Sequence, residues 1–302
     1  MRVLLAGWSS VLHGEATAGD VLATQAVAER LTAEGVAHDH AWSPAMHRAY
    51  GPRGGLLLDD VDPAAYTHLV WVCGPLTGEP VRELHERFAH AHRSAVGVSV
   101  LDPDDPAVTG FHVVVPRDAP GRAPQRDLAA RPAAPAVPVA GVYLTHGQGE
   151  YGGRRRHDDV AAAIGRWLDG RELARLPLDT RLDPRDWRLP ATAEQVLAVV
   201  ARLDLVVTTR LHGLVLALRS GVPALAVDPV AGGGKVSEQA RAWGWPALVA
   251  AEDLLADDGA PVLDEQAAWC LSGAGRTEAD RCRDEAGAAG REQLDALVAA
   301  LR

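Results

Sequence analysis

The chain has 302 residues, 47% of them hydrophobic and 23% charged, with a formal net charge of −10. At about 150 residues per domain this suggests two soluble globular domains, and the negative balance argues against generic nucleic-acid binding, so any anion site must be a local cationic pocket. No apolar run is long enough to cross a bilayer, and Cys73, Cys270 and Cys282 lack metal-binding spacing, as suits a reduced cytoplasm.

Val3 to Gly7 is expected to be a first buried strand, since the N-terminal apolar run is too short for a signal-peptide core. Asp20 opens a helix that Gly35 ends, with Asp20 as its cap. Val36 to Trp42, Leu69 to Cys73, Val96 to Val100 and Val113 to Val115 follow as strands, with a helix over Val81 to His92. His85, His90 and His92 along that helix do not share one face, so they predict a solvated helix and no metal site. The stretch 116–138 is rich in Pro, Ala and Arg and marks a linker. The expected domains are therefore 1–138 and 139–302.

The second half repeats the α/β order, with strands over Val139 to Thr145 and Glu172 to Leu178, and helices over Asp158 to Leu168 and Thr192 to Ala201. Between the first strand and helix lies Gly147-Gln148-Gly149-Glu150-Tyr151-Gly152. This spells G-x-G-x-x-G, but Gly153 to His157 intervene before the helix, where a dinucleotide motif would already be helical. Arg154 and Arg155 from this loop are candidates to touch an anion. Then come a strand through Val206 and Val207, a helix from Leu211 stopped by Gly221-Val222-Pro223, a strand over Ala224 to Val227, and the loop Gly232-Gly233-Gly234-Lys235. Helices over Val236 to Trp243 and Thr277 to Leu301, with a strand over Pro246 to Ala250 between them, complete the chain. Two such halves predict two Rossmann-like domains facing one cleft.

The chemistry concentrates at Arg210 to Lys235. Arg210, His212 and Gly213 sit at a helix start, where unpaired N–H groups and the helix dipole favour an anion. Gly233 and Gly234 bring backbone to the same sheet edge, and Lys235 is the only lysine in the chain. His212 is the candidate for proton transfer. In the first half, His13 and Asp20 flank the first helix and are candidate cleft residues on the acceptor side. Nucleophile-elbow, P-loop, zinc and kinase motifs are missing.

The segment LDLVVTTRLHGLVLALRSGVPALAVDPVAGGGK, with ATAEQVLAVVAR before it, resembles the polysaccharide pyruvyl transferase family. AGDVLATQAVAERL and THLVWVCGPLTG resemble that family's first loop and helix and its later glycine-rich strand end. Thr17 stands where the family often has Asn, and Cys73-Gly74-Pro75 where it has a glycine triplet. The resemblance implies a glycosyltransferase-B-like arrangement of the two domains. It also implies a cytoplasmic enzyme of exopolysaccharide biosynthesis, working in solution or peripherally at the inner membrane face. The reaction would move the enolpyruvyl-derived group of phosphoenolpyruvate onto hydroxyls of a sugar or glycan acceptor, free or lipid-linked, as a ketal. Phosphoenolpyruvate would be the donor substrate, no cofactor or metal is implied, and Arg210, His212 and Lys235 carry over as donor-site residues. The competing readings are a nucleotide-sugar-dependent glycosyltransferase of the same fold and a non-catalytic binding relative.

Overall fold

A computed structural model describes residues 1–11, 16–131, 137–256 and 259–302. The chain divides into two compact units, Met1–Ala134 and Pro135–Arg302.

The first unit carries a six-stranded sheet of β1 (Val3–Gly7), β2 (His38–Trp42), β3 (Leu56–Leu57), β4 (His68–Val72), β5 (His92–Ser99) and β6 (Val113–Asp118). Their order is β3-β2-β1-β4-β5-β6, with every pairing parallel. Parallel pairing forces crossovers, and helices cover the faces, which is why β1 is apolar throughout and fully buried. Leu4, Leu69, Trp71 and Phe88 form the centre of this core.

The second unit carries β7 (Val139–Tyr143), β8 (Ala174–Pro177), β9 (Leu205–Thr208), β10 (Ala224–Asp228) and β11 (Leu248–Ala250) in the order β11-β10-β9-β7-β8, again all parallel. Leu205, Val206 and Val207 pack against Ile164, Leu214 and Leu218 from the flanking helices. Both units are thus doubly wound Rossmann-like sheets.

Several expected boundaries move. The helix Glu79–Arg87 is shorter than its periodicity suggested, and β5 begins at His92. His90 and His92 therefore lie off the helix; His85 and His90 bond the carbonyls of Ala107 and Pro63. Strand β6 runs through Pro116 into the stretch expected as linker, which an edge strand tolerates because one side of its backbone needs no donor. At the end of β6, Arg117 pairs with Asp118 at 2.7 Å and with Asp127, and donates to Ser99 Oγ at 2.7 Å. The first long helix, Ala18–Ala33, is capped by Thr17, not Asp20: Asp20 is the third helical residue and accepts from the Thr17 N–H at 2.9 Å. The expected terminal helix is broken into Gly273–Glu285 and Arg291–Ala300, with Gly290 left-handed between them.

Candidate active site

In the second sheet the chain leaves β7 toward β8 on one side, and β9 toward β10 on the other. The loops after β7 and β9 therefore part, opening the crevice where ligands bind in open α/β sheets. Two threonines pin its floor. Thr209 donates its N–H to the Tyr143 carbonyl at 3.0 Å, and its hydroxyl accepts the Thr145 N–H at 2.8 Å. Thr208 accepts the Arg210 N–H at 2.9 Å through its hydroxyl, which lies 2.2 Å from where a Cβ on Gly213 would fall. Gly213 is therefore required for the helix Leu211–Arg219 to start hard against the strand end. No side chain caps that start, and the first internal bond is Leu214 N–H to the Arg210 carbonyl. The N–H groups before it are left for a ligand.

A cleft of 260 Å³ lies here, lined by Thr145, Gln148, Thr180, Arg210, His212 and Lys235 among others. The three predicted donor-site side chains thus meet in one place. Their states differ. Arg210 enters the cleft already engaged: NH1 is 2.8 Å from Asp179 Oδ1 and donates to Thr180 Oγ1 at 3.1 Å, while its Nε is buried without a partner. The His212 side chain is exposed and, among the described residues, makes no hydrogen bond or ion pair. The Lys235 ammonium lies 5.9 Å from the centre of the Tyr151 ring, its one contact of this kind.

Gly233 and Gly234, expected to offer backbone to a ligand, have their N–H groups already engaged: that of Gly234 donates to Asp228 at 2.7 Å and that of Gly233 to the Val230 carbonyl at 2.9 Å, as that of Gly232 does to Glu252 at 2.6 Å. Asp228, 1% exposed at the end of β10, also accepts from the Val230 N–H at 3.1 Å and from the Ser237 N–H and hydroxyl at 2.8 and 2.6 Å. This carboxylate already occupies the start of the helix Lys235–Trp243, the place an anionic ligand would otherwise take. What the loop delivers is the Lys235 side chain, on a helix start held firm from below.

Arg154 and Arg155 do not line the cleft. Arg155 donates to Asp158 at 2.6 Å and to the Gly147 carbonyl at 2.5 Å, which braces its own loop, while Arg154 donates to the Gly233 carbonyl at 3.5 Å; backbone bonds from the Arg156 N–H to the Pro229 carbonyl and from the Ala231 N–H to the Arg154 carbonyl tie the loop to the segment after β10. The helix after this loop begins at His157, so the G-x-G-x-x-G glycines do not open it as a dinucleotide motif requires. Asp20 belongs to the first unit and serves its helix cap. His13 lies outside the described residues.

Sequence reasoning missed Thr145, Gln148, Thr180 and Asp228. Each follows or ends a strand at the carboxyl edge, a signal available once strand ends are known. Their short polar side chains are otherwise indistinguishable from loop residues. Among the described residues no group of three or more His, Cys, Asp or Glu could hold a metal ion, and no helix is long and apolar enough to cross a membrane.

Residues 150–229 match the family model for polysaccharide pyruvyl transferase, which includes Arg210 and His212 and stops short of Lys235. No curated protein sequence matches the chain. Similar solved structures include the spinosyn rhamnosyltransferase SpnG complexed with thymidine diphosphate, at 13% identity over 98% of this chain and 100% of that one, TM-score 0.36. The spinosyn forosaminyltransferase SpnP is similar at 16% identity over 99% of each chain, TM-score 0.33. The Escherichia coli heptosyltransferase WaaC with ADP is similar at 14% identity over 91% of this chain and 99% of that one, TM-score 0.29.

Proposed function

We propose that this chain is a pyruvyl transferase that uses phosphoenolpyruvate to build a pyruvate ketal on a sugar-containing acceptor. The observation that carries the reading is the convergence of Arg210, His212 and Lys235 in one cleft at the β7/β9 crevice. Phosphoenolpyruvate has a phosphate and a carboxylate close together, so its binding needs more than one cation and oriented donors. Arg210, Lys235 and the uncapped start of the Leu211–Arg219 helix meet that need.

In the reaction, His212 delivers a proton to the methylene carbon of the donor, which becomes a methyl group and leaves the neighbouring carbon electron-poor. One acceptor hydroxyl adds there and loses its proton. The C–O bond to phosphate then breaks, the electron pair leaves with phosphate, and a second hydroxyl closes the ketal. Of the two hydroxyl protons, one balances the proton placed on carbon and the other leaves with inorganic phosphate. Arg210 and Lys235 stabilise the charge that accumulates on the departing phosphate. The Arg210–Asp179 pair keeps the guanidinium oriented toward the cleft before the donor arrives.

The test is incubation with phosphoenolpyruvate and a glycan acceptor library, with release of phosphate and a ketal-sized mass gain on the acceptor as the two readouts. His212→Ala is expected to bind phosphoenolpyruvate and to lose transfer by 10²–10⁴-fold, on the order of one general acid–base group. Full transfer by that variant would remove His212 from the chemistry, and unchanged donor affinity in Lys235→Ala would remove Lys235 from the site.

A further inference from the structure

Gln148 is the one side chain of the G-x-G-x-x-G stretch that reaches the cleft, and the chemistry above leaves it unused. Its backbone is left-handed, at φ 62° and ψ 60°, between two glycines that would take that conformation freely. A residue with a Cβ held there marks a position where the side chain offsets the cost.

The side chain is oriented from behind. Gln148 Oε1 lies 3.2 Å from His157 Nε2. His157 is 1% exposed, and its Nδ1 is buried with no partner. Protonation would put a second N–H against nothing, and burial, with Arg155 next, holds the ring's pKa below its ordinary value. The neutral ring therefore donates from Nε2 to the Gln148 oxygen. With that oxygen engaged, the two amide N–H donors are left on the other end of the group.

We infer that Gln148 contacts the ligand: its amide N–H groups donate to an oxygen of the anionic substrate that Arg210 and Lys235 attract, an inference that rests on the proposed function only for which anion that is. A neutral donor adds direction without adding charge, so Gln148 selects for the placement of the anion's oxygens where the cations select for charge.

Calorimetric titration of phosphoenolpyruvate and of inorganic phosphate into wild type, Gln148→Gly and Gln148→Glu tests this, beside thermal unfolding of each protein. Gln148→Gly is expected to change Tm by no more than roughly 2 °C, because relief of the left-handed backbone opposes the loss of the bond to His157, whose Nε2 is then open to cleft water. The same variant is expected to lose roughly 10-fold in affinity for phosphoenolpyruvate, as removal of a hydrogen bond to a charged group does. Gln148→Glu is expected to lose more, since a carboxylate then faces the anion. A lowered Tm with intact affinity in Gln148→Gly would make the residue structural and overturn the inference. Wild type that binds phosphate but not phosphoenolpyruvate would sink the pyruvyl reading, and the phosphate titrations of the variants would still decide Gln148. Wild type that binds phosphoenolpyruvate with both variants equal to it would sink the inference alone, and binding of neither anion would sink both.

Discussion

Replacing Asp228 by Asn changes almost no volume and tests whether a buried carboxylate organises the lysine end of the site. In wild type Oδ2 faces the Gly234 N–H, the Ser237 N–H and the Ser237 hydroxyl, and Oδ1 faces the Val230 N–H. The better amide orientation keeps the carbonyl on the first three donors and sets the NH2 against the Val230 N–H. One buried donor is then unpaired, at about 1–3 kcal/mol. Loss of the negative charge at the start of the Lys235–Trp243 helix adds about 0.5–2 kcal/mol. The sum is roughly 3 kcal/mol of stability, which at an m-value of about 2 kcal/mol/M lowers the urea midpoint of this unit by about 1.5 M. The same change loosens the first turn that carries Lys235, so phosphoenolpyruvate affinity should fall roughly 10-fold, an effect of about 1.4 kcal/mol. Urea unfolding followed by tryptophan fluorescence, with calorimetry on the folded variant, reads both. A midpoint within about 0.3 M of wild type would refute the reasoning, because less than about 0.6 kcal/mol cannot come from an unpaired buried donor.

Helix propensity alone predicts that Gly213→Ala gains up to about 1 kcal/mol, whereas the 2.2 Å approach of its Cβ to Thr208 Oγ1 predicts a net loss of about 2 kcal/mol, so the sign of the change in unfolding free energy decides. Thr209→Val should cost about 1–3 kcal/mol, since the buried Thr145 N–H loses the hydroxyl it donates to; a neutral result would mean the loops after β7 and β9 are pinned by something else. His40 is held by burial, and then by His38, at a pKa of about 3 against 6.5 when unfolded. Its folded pKa is depressed, so the unfolded chain takes up the proton first. Stability is complete above pH 6.5 and falls as pH drops from there toward 3, by about 2 kcal/mol between pH 7.5 and pH 5. His40→Leu should remove that component, and an unchanged pH slope of unfolding in the variant would contradict it.

Much of the second unit was legible because its signals are local. Gly221-Val222-Pro223 ends a helix for stereochemical reasons, and the apolar run before Arg210 has no other stable use than a buried strand. Arg210, His212 and Lys235 could be placed at one sheet edge from strand ends alone. What sequence could not supply was the partner of each group. Nothing local says that Asp228 turns inward to hold the glycine loop, or that Asp179 meets Arg210 from a different strand end. Gln148 was not singled out in its glycine motif because its partner, His157, lies nine positions on and is buried at the start of the next helix. The same limit explains β6 and the terminal helix. Pro116 is tolerated because the strand is at an edge, and the Ala-rich periodicity of the last segment hid the break at Gly290.

The proposed function requires Arg210, His212 and Lys235 to form one site that binds phosphoenolpyruvate and transfers its three-carbon group. Mass spectrometry of a glycan acceptor library incubated with the protein and phosphoenolpyruvate, with inorganic phosphate measured in the same samples, tests it most directly. A pyruvate-ketal mass gain on an acceptor, matched by an equal amount of phosphate and lost with it in His212→Ala, is the expected result. Transfer of a glycosyl group from a nucleotide sugar by the same protein, with no phosphate released from phosphoenolpyruvate, would contradict it.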